Sequence, residues 1–222
     1  MDSKLNVSEI FYSIQGESGF AGFPCVFIRL SGCNLRCNYC DADYTWEDGE
    51  EQTESSILSA VAQYPCSLVE LTGGEPLLQE GSIQLLEKLL AAGKTVLVET
   101  NGSIAINSLP ENCVAIVDVK CPDSGSGQSF HRDNIRHIRQ RLTDSPGSCE
   151  LKFVISSEKD YHWAKAFCMD HDLLNLLPVH FSPVQDRVAP AKLAEWIIND
   201  GLHVRLQLQL HTILWPGISR GV

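Results

Sequence analysis

Seven short apolar runs recur along the chain: CVFIRL (25–30), SLVELT (67–72), TVLVET (95–100), CVAIVDVK (113–120), ELKFVIS (150–156), LPVHFS (177–182) and HVRLQLQL (203–210). Several are apolar at successive rather than alternate positions, as strands covered on both faces of a parallel sheet must be. Between many of them the spacing predicts helices. TESSILSAVAQY (53–64) opens on Thr53, with Ser55 and Ser56 as rival caps, and SIQLLEKLLAAGK (82–94) stops at Gly93. EKDYHWAKAFCMDHD (158–172) and APAKLAEWIIND (189–200) follow, the last stopped by Gly201. Such alternation predicts an α/β fold, a parallel sheet built of repeated βα units, open or curled towards a barrel. NGSIAINSLPEN (101–112) has room for a single turn at most, so the sheet is trimmed in the middle. CPDSGSGQS (121–129) reads as a mobile loop, and HRDNIRHIRQR (131–141) as a solvated helix face. Alternation resumes after the loop, so residues 1–222 are expected to form a single domain.

Formal net charge is −11, from 28 acidic against 17 basic residues, which repels a phosphate backbone and argues against a nucleic-acid substrate. The start, MDSKLNVSEIF, carries no export pattern, and no apolar run reaches the roughly 18 residues that a membrane span needs. The expected location is the reducing cytoplasm, away from membranes, where disulfides are rare. The nine cysteines are an odd number, which also disfavours a paired framework. Cys25, Cys66, Cys113, Cys121, Cys149 and Cys168 lie scattered in apolar or mixed segments and read as buried free thiols.

Cys33, Cys37 and Cys40 differ. They are spaced C-x3-C-x2-C and directly follow the first strong strand, where parallel α/β folds assemble their sites. Three thiolates can hold three irons of a 4Fe–4S cluster and leave the fourth open to an exogenous ligand. Two other readings compete: a structural zinc site completed by a distant His131 or His211, and chance clustering. One strand further on, ELTGGEP (70–76) offers a close backbone approach at Gly73 and Gly74 and a carboxylate at Glu75.

Together, the cysteine loop and the GGE motif resemble the signature of radical S-adenosylmethionine (SAM) enzymes. In that family the open iron chelates SAM, and one-electron reduction releases an adenosyl radical. The stretch EIFYSIQGESGFAGFPCVFIRLSGCNLRCNYCDADYTW (9–46) is similar throughout to the 7-carboxy-7-deazaguanine synthase family of the queuosine pathway. The similarity continues through VETNG, DVKCP, FSPVQ and QLHTILWP, and SIQGE (13–17) is its most specific mark. The resemblance implies a trimmed partial (β/α) TIM-like barrel of about six parallel strands and commonly a homodimer. It implies ring contraction of 6-carboxy-5,6,7,8-tetrahydropterin to 7-carboxy-7-deazaguanine with loss of ammonia, SAM serving catalytically and an external donor supplying electrons.

Residues carry over by position. Cys33, Cys37 and Cys40 would bind the cluster. Tyr39, Cys40, Asp41, Gly74, Glu75, Asp118, Val119, Lys120, Ser182, Pro183, Val184 and Gln185 would frame SAM, with Glu75 on its amino group. Ile14, Gln15, Gly16, Arg29, Thr72 and Pro216 would meet the pterin, Arg29 as a fork for its carboxylate. Two positions depart from the family. Ala42 stands where many relatives place a threonine that helps hold Mg²⁺, so the ion would bind through substrate and water, with Asp43 as the one candidate side chain and no protein ligand expected. Thr212 stands where lysine is frequent. A glycyl-radical-enzyme activating protein, with a protein substrate, and a non-catalytic zinc-binding module are the alternative functions.

Overall fold

The computed structural model describes residues 2–222. Among these, nine strands form one sheet: β1 (Lys4–Ile14), β2 (Pro24–Leu30), β3 (Glu50–Thr53), β4 (Leu68–Gly73), β5 (Thr95–Thr100), β6 (Val114–Asp118), β7 (Cys149–Ile155), β8 (Val179–Pro183) and β9 (Arg205–Leu206). Their spatial order is β3-β1-β2-β4-β5-β6-β7-β8-β9. From β2 to β9 every neighbouring pair is parallel. The six longer parallel strands are those expected, and the sheet is open, a partial barrel. The last expected strand shrinks to the two residues of β9.

The antiparallel β1 and β3 are additions that the apolar runs do not reveal. β1 interleaves Asn6, Ser8 and Glu9 with buried Leu5, Val7 and Phe11, and β3 is a polar edge, which suits a solvated sheet margin.

Among the described residues six α-helices accompany the strands: α1 (Glu54–Val61), α2 (Gly81–Ala91), α3 (Asn134–Asp144), α4 (Glu158–Asp170), α5 (Pro190–Asn199) and α6 (Leu210–Leu214). Thr53 is the cap of α1, its Oγ1 accepting the Ser56 amide at 3.2 Å. Between β5 and β6 there is only the short turn Ile106–Ser108, as the sequence predicts. Helix residues such as Ile57, Leu85, Leu86, Leu89, Ile138, Tyr161 and Leu193 pack on one sheet face, against Val26, Ile28, Val69, Leu71, Val98, Val117, Leu151 and Phe153. The alternate residues of the same strands face the other way, because side chains alternate along a strand.

Two expectations are corrected. Arg141 on α3 is buried rather than solvated, and its guanidinium donates to the carbonyls of Leu109, Pro110, Cys113 and Ser148, so it ties the helix to two loops. The 121–129 segment is anchored, with Cys121 and Ser124 fully buried and the Asp123 amide donating to Asp160 Oδ1 at 3.0 Å.

Candidate active site

The loop after β2 carries the three cysteines, and backbone contacts fix it from several sides. Gly32 N donates to Thr45 O at 2.7 Å, and Asn38 N to Ser124 O at 2.9 Å. The Tyr39 hydroxyl reaches Val154 O at 3.2 Å. The end of β4 lies against this loop, with Gly74 N on Leu30 O at 3.0 Å and Glu75 N on Gly32 O at 2.8 Å. A Cβ at Gly74 would overlap the Gly32 carbonyl, and Gly73 has φ +137°, so both positions require glycine.

Cys33, Cys37 and Cys40 are half-buried free thiols that line a common cavity of about 650 Å³. Among the described residues, no three His, Cys, Asp or Glu side chains close on a single ion. His211 lines the cavity without joining the thiols in such a group, and His131 lies outside it. Three free thiols around a shared space fit three irons of a 4Fe–4S cluster. Burial pushes the Cys40 thiol up.

Of the residues assigned to SAM, Tyr39, Asp41, Gly74, Asp118, Lys120, Val184 and Gln185 line the same cavity. Asp118 Oδ2 accepts Lys120 Nζ at 2.7 Å, while its buried Oδ1 has no partner among the described residues, as a group awaiting a ligand would. Burial would lower the Lys120 pKa, but Asp118 and Cys37 together outweigh it and raise the ammonium above its ordinary range. Val119, Ser182 and Pro183 do not line the cavity; Val119 is in the apolar core, and the Ser182 hydroxyl is buried without a partner.

Glu75 does not line the cavity. Its carboxylate accepts Thr100 Oγ1 at 2.8 Å, Asn101 N at 2.7 Å and Leu77 N at 3.0 Å in full burial. Asn101 in turn reaches Asn34 Oδ1 at 3.1 Å. Glu75 therefore supports the cysteine loop through Asn101.

Of the residues assigned to substrate, Ile14, Gln15, Gly16, Arg29, Thr72 and Pro216 all line the cavity. The Gln15 backbone is already taken up by a turn, its N on Phe23 O and its O under Gly22 N, both at 2.8 Å. Its side chain bridges Glu70, to which Nε2 donates, and the Glu17 amide, which Oε1 accepts at 3.0 Å. The Gly16 carbonyl accepts Leu210 N at 3.2 Å. Arg29 Nε donates to Glu9 Oε1 at 2.8 Å, and its terminal nitrogens make no hydrogen bond among the described residues.

The cavity also has a charged floor, and the motifs give its charged residues no role. Lys152 Nζ lies 2.8 Å from Glu99 Oε1 and 2.5 Å from Glu17 Oε2, and Thr72 Oγ1 donates to Glu99 Oε2 at 3.2 Å. Burial would lower the Lys152 pKa, but Glu17 and Glu99 outweigh it and hold the ammonium charged. Burial would likewise raise the Glu99 carboxyl, yet Lys152 pulls it down to about 2. Glu70 goes the other way, raised by burial and by the nearby Glu99 and Glu17 charges. The available signal was a charge inside an apolar strand run: Glu70 in SLVELT, Glu99 in TVLVET and Lys152 in ELKFVIS.

At the mouth, Gln209 Nε2 bridges Glu17 Oε1 and Asp41 Oδ2, both at 3.0 Å. Thr212 Oγ1 turns back to Gln209 O at 2.8 Å. Gly217, Ile218, Ser219 and Val222 line the same cavity, and Arg220 lies 2.6 Å from Asp48 and above the Tyr44 ring.

Residues 27–120 match the family model of the radical SAM superfamily, the class that a three-thiol loop at the end of such a sheet defines. The fold agrees with the crystal structure of QueE from Escherichia coli, with TM-score 0.74 and 22% identity over 93% of this chain and 94% of that one. The 7-carboxy-7-deazaguanine synthase of Chlorobaculum tepidum is 42% identical, over 100% of this chain and 99% of the relative. That of Koribacter versatilis is also 42% identical, over 98% and 100%. The chain belongs to the 7-carboxy-7-deazaguanine synthase family. That family brings a 4Fe–4S cluster and SAM as cofactors.

Proposed function

We infer that this chain catalyses the 7-carboxy-7-deazaguanine synthase reaction, the radical ring contraction of 6-carboxy-5,6,7,8-tetrahydropterin with loss of ammonia, as a carbon–nitrogen lyase of queuosine and 7-deazapurine biosynthesis. The observation that carries this is one cavity of about 650 Å³ lined by the three thiols, Gly74, Arg29, Ile14, Gln15 and Gly16. Bound there, the cluster and SAM supply one-electron chemistry and a hydrogen-abstracting group.

The chain's own residues hold and orient. Cys33, Cys37 and Cys40 bind the cluster. Tyr39, Asp41, Gly74, Asp118, Lys120, Val184 and Gln185 surround SAM with side chains or open backbone, whereas Val119, Ser182 and Pro183 act from behind the wall. Arg29 takes the substrate carboxylate on its two free nitrogens. Ile14, Gln15, Gly16, Thr72 and Pro216 enclose the ring system, fixing one C–H bond in reach and excluding water. Mg²⁺, in this reading, rides on substrate and water, because Ala42 offers no side-chain oxygen.

The reading extends to a single domain over 1–222, a homodimer in the cytoplasm and an external one-electron donor. The unbroken nine-strand order supports the first. No helix among the described residues is long and apolar enough to cross a membrane.

The test is anaerobic. The protein is reconstituted with iron and sulfide, then given SAM, a reductant and 6-carboxytetrahydropterin, and followed by mass spectrometry. A product lighter than substrate by one ammonia, with many turnovers per SAM, is expected. Accumulating 5′-deoxyadenosine with intact pterin would refute the substrate, and failure to take up a cluster would refute the role of the three cysteines.

A further inference from the structure

β1 and β2 pair residue for residue except at one place. Val7 lies opposite Leu30 and Glu9 opposite Arg29, so Ser8 is one residue extra. A bulge of this kind re-aims the side chains that follow it, and here it sets Glu9, in place of Ser8, directly across from Arg29.

Both oxygens of Glu9 are then in use. Oε1 accepts Arg29 Nε at 2.8 Å and the Tyr44 hydroxyl at 2.8 Å, and Oε2 accepts the Gly221 amide at 3.0 Å. Each of the paired side chains is only 17% exposed, so solvent screens the contact weakly. A bond to Nε alone grips the guanidinium by its inner edge. The outer edge, which pairs bidentately with a carboxylate, makes no hydrogen bond among the described residues, and Arg29 lines the cavity. The Phe11 ring, 5.5 Å from the Arg29 guanidinium carbon, packs against the cation and limits its rotation.

We propose that Glu9 is the positioning residue for Arg29, presetting its fork for the carboxylate of the pterin substrate, with the β1 bulge as the backbone device that puts it there. The inference rests on the reading of Arg29 as the carboxylate site. Tyr44 shares the same acceptor, so its neutral hydroxyl stops Glu9 from swinging away; burial, and secondarily Glu9, raise the phenol above its ordinary range.

The test compares two ligands on the SAM-loaded, cluster-reconstituted enzyme: 6-carboxytetrahydropterin and tetrahydropterin lacking the carboxylate. Dissociation constants are measured by anaerobic equilibrium dialysis for Glu9→Ala, Glu9→Gln, Arg29→Ala and the double variant E9A/R29A. Glu9→Ala is expected to weaken the carboxylated ligand about 10- to 100-fold, the scale of one charge-assisted hydrogen bond, and the other ligand less than about twofold. Glu9→Gln keeps an acceptor for Nε and is expected to lose only about threefold to tenfold, so the idea stays testable if the alanine variant folds poorly. In the Arg29→Ala background, removing Glu9 is expected to add less than about twofold.

Equal weakening of both ligands, or additive losses in the double variant, would make Glu9 a plain staple of the sheet and overturn the proposal. If Arg29→Ala weakens the carboxylated ligand while neither Glu9 variant does, the proposal alone falls. If Arg29→Ala changes nothing, the reading of Arg29 falls and Glu9 falls with it.

Discussion

Along β4, Val69 and Leu71 point to the helices and are fully buried among apolar side chains, whereas Glu70 and Thr72 point to the cavity and bond Gln15 and Glu99. The contrast repeats across the sheet. Leu151 and Phe153 of β7 face helices, and Glu150 and Lys152 face inward. The outward face is held by hydrophobic burial, whereas the inward face adds to a smaller apolar cluster of Phe11, Phe27, Leu97 and Ile116 a set of charges that must satisfy each other. The same strand can thus hold the domain together with one set of residues and build a site with the next, without either disturbing the other's spacing.

Breaking the inward face at its rim is expected to have the largest effect. Cys37→Ser should abolish cluster uptake, read from the visible absorbance of the reconstituted protein, and turnover with it, while the melting temperature of the cluster-free protein stays near that of the parent. Lys152→Met strands Glu17 and Glu99, and a loss of about 3–5 kcal/mol in urea unfolding is expected, since an orphaned buried charge is costly. Adding Glu99→Gln should recover part of it. A loss no greater than that of an ordinary surface substitution would mean that the floor is wet.

The outward face gives the converse. Leu86→Ala should cost about 2–5 kcal/mol of stability while turnover per folded molecule is kept, because Leu86 is fully buried on α2 away from the cavity. A matching loss of turnover would show that the two faces are coupled.

The smallest effect sharpens the difference within the inward face itself. Glu70 is raised above 4.5, so its part of the stability is fully present below that pH and is lost as pH rises through the folded value. Glu70→Gln keeps the acceptor for Gln15 and should gain a few degrees of melting temperature at mildly alkaline pH but nothing in acid. Glu99, held at about 2, stabilises above 4.5 and loses its contribution as pH falls towards about 2. If Glu70→Gln and the single variant Glu99→Gln showed the same pH trend, the opposed shifts assigned to these neighbours would be wrong.

What the sequence reveals follows the same division. Strands β4 to β8 are legible because their outward residues make apolar runs. The cysteine loop is legible because its chemistry lies in local spacing. β1 is not, since the bulge at Ser8 and the polar Asn6 and Glu9 break any simple alternation. Two of the three partners of Glu75, Thr100 and Asn101, lie 25 and 26 positions away, so the local sequence does not reveal how its carboxylate is held. Arg141 fails for the same reason: its helix is locally hydrophilic, and only the fold shows which turn is inside.

The backbone contact between the two site loops also has a genetic side. At Gly73 the Cβ of any other residue would strike the Leu30 backbone, and at Gly74 the Gly32 carbonyl. Every missense change in either codon adds that Cβ, whatever its charge or size. These two codons have no tolerated neighbour, and a saturation library selected for activity should show them as adjacent empty columns, with alanine as depleted as tryptophan.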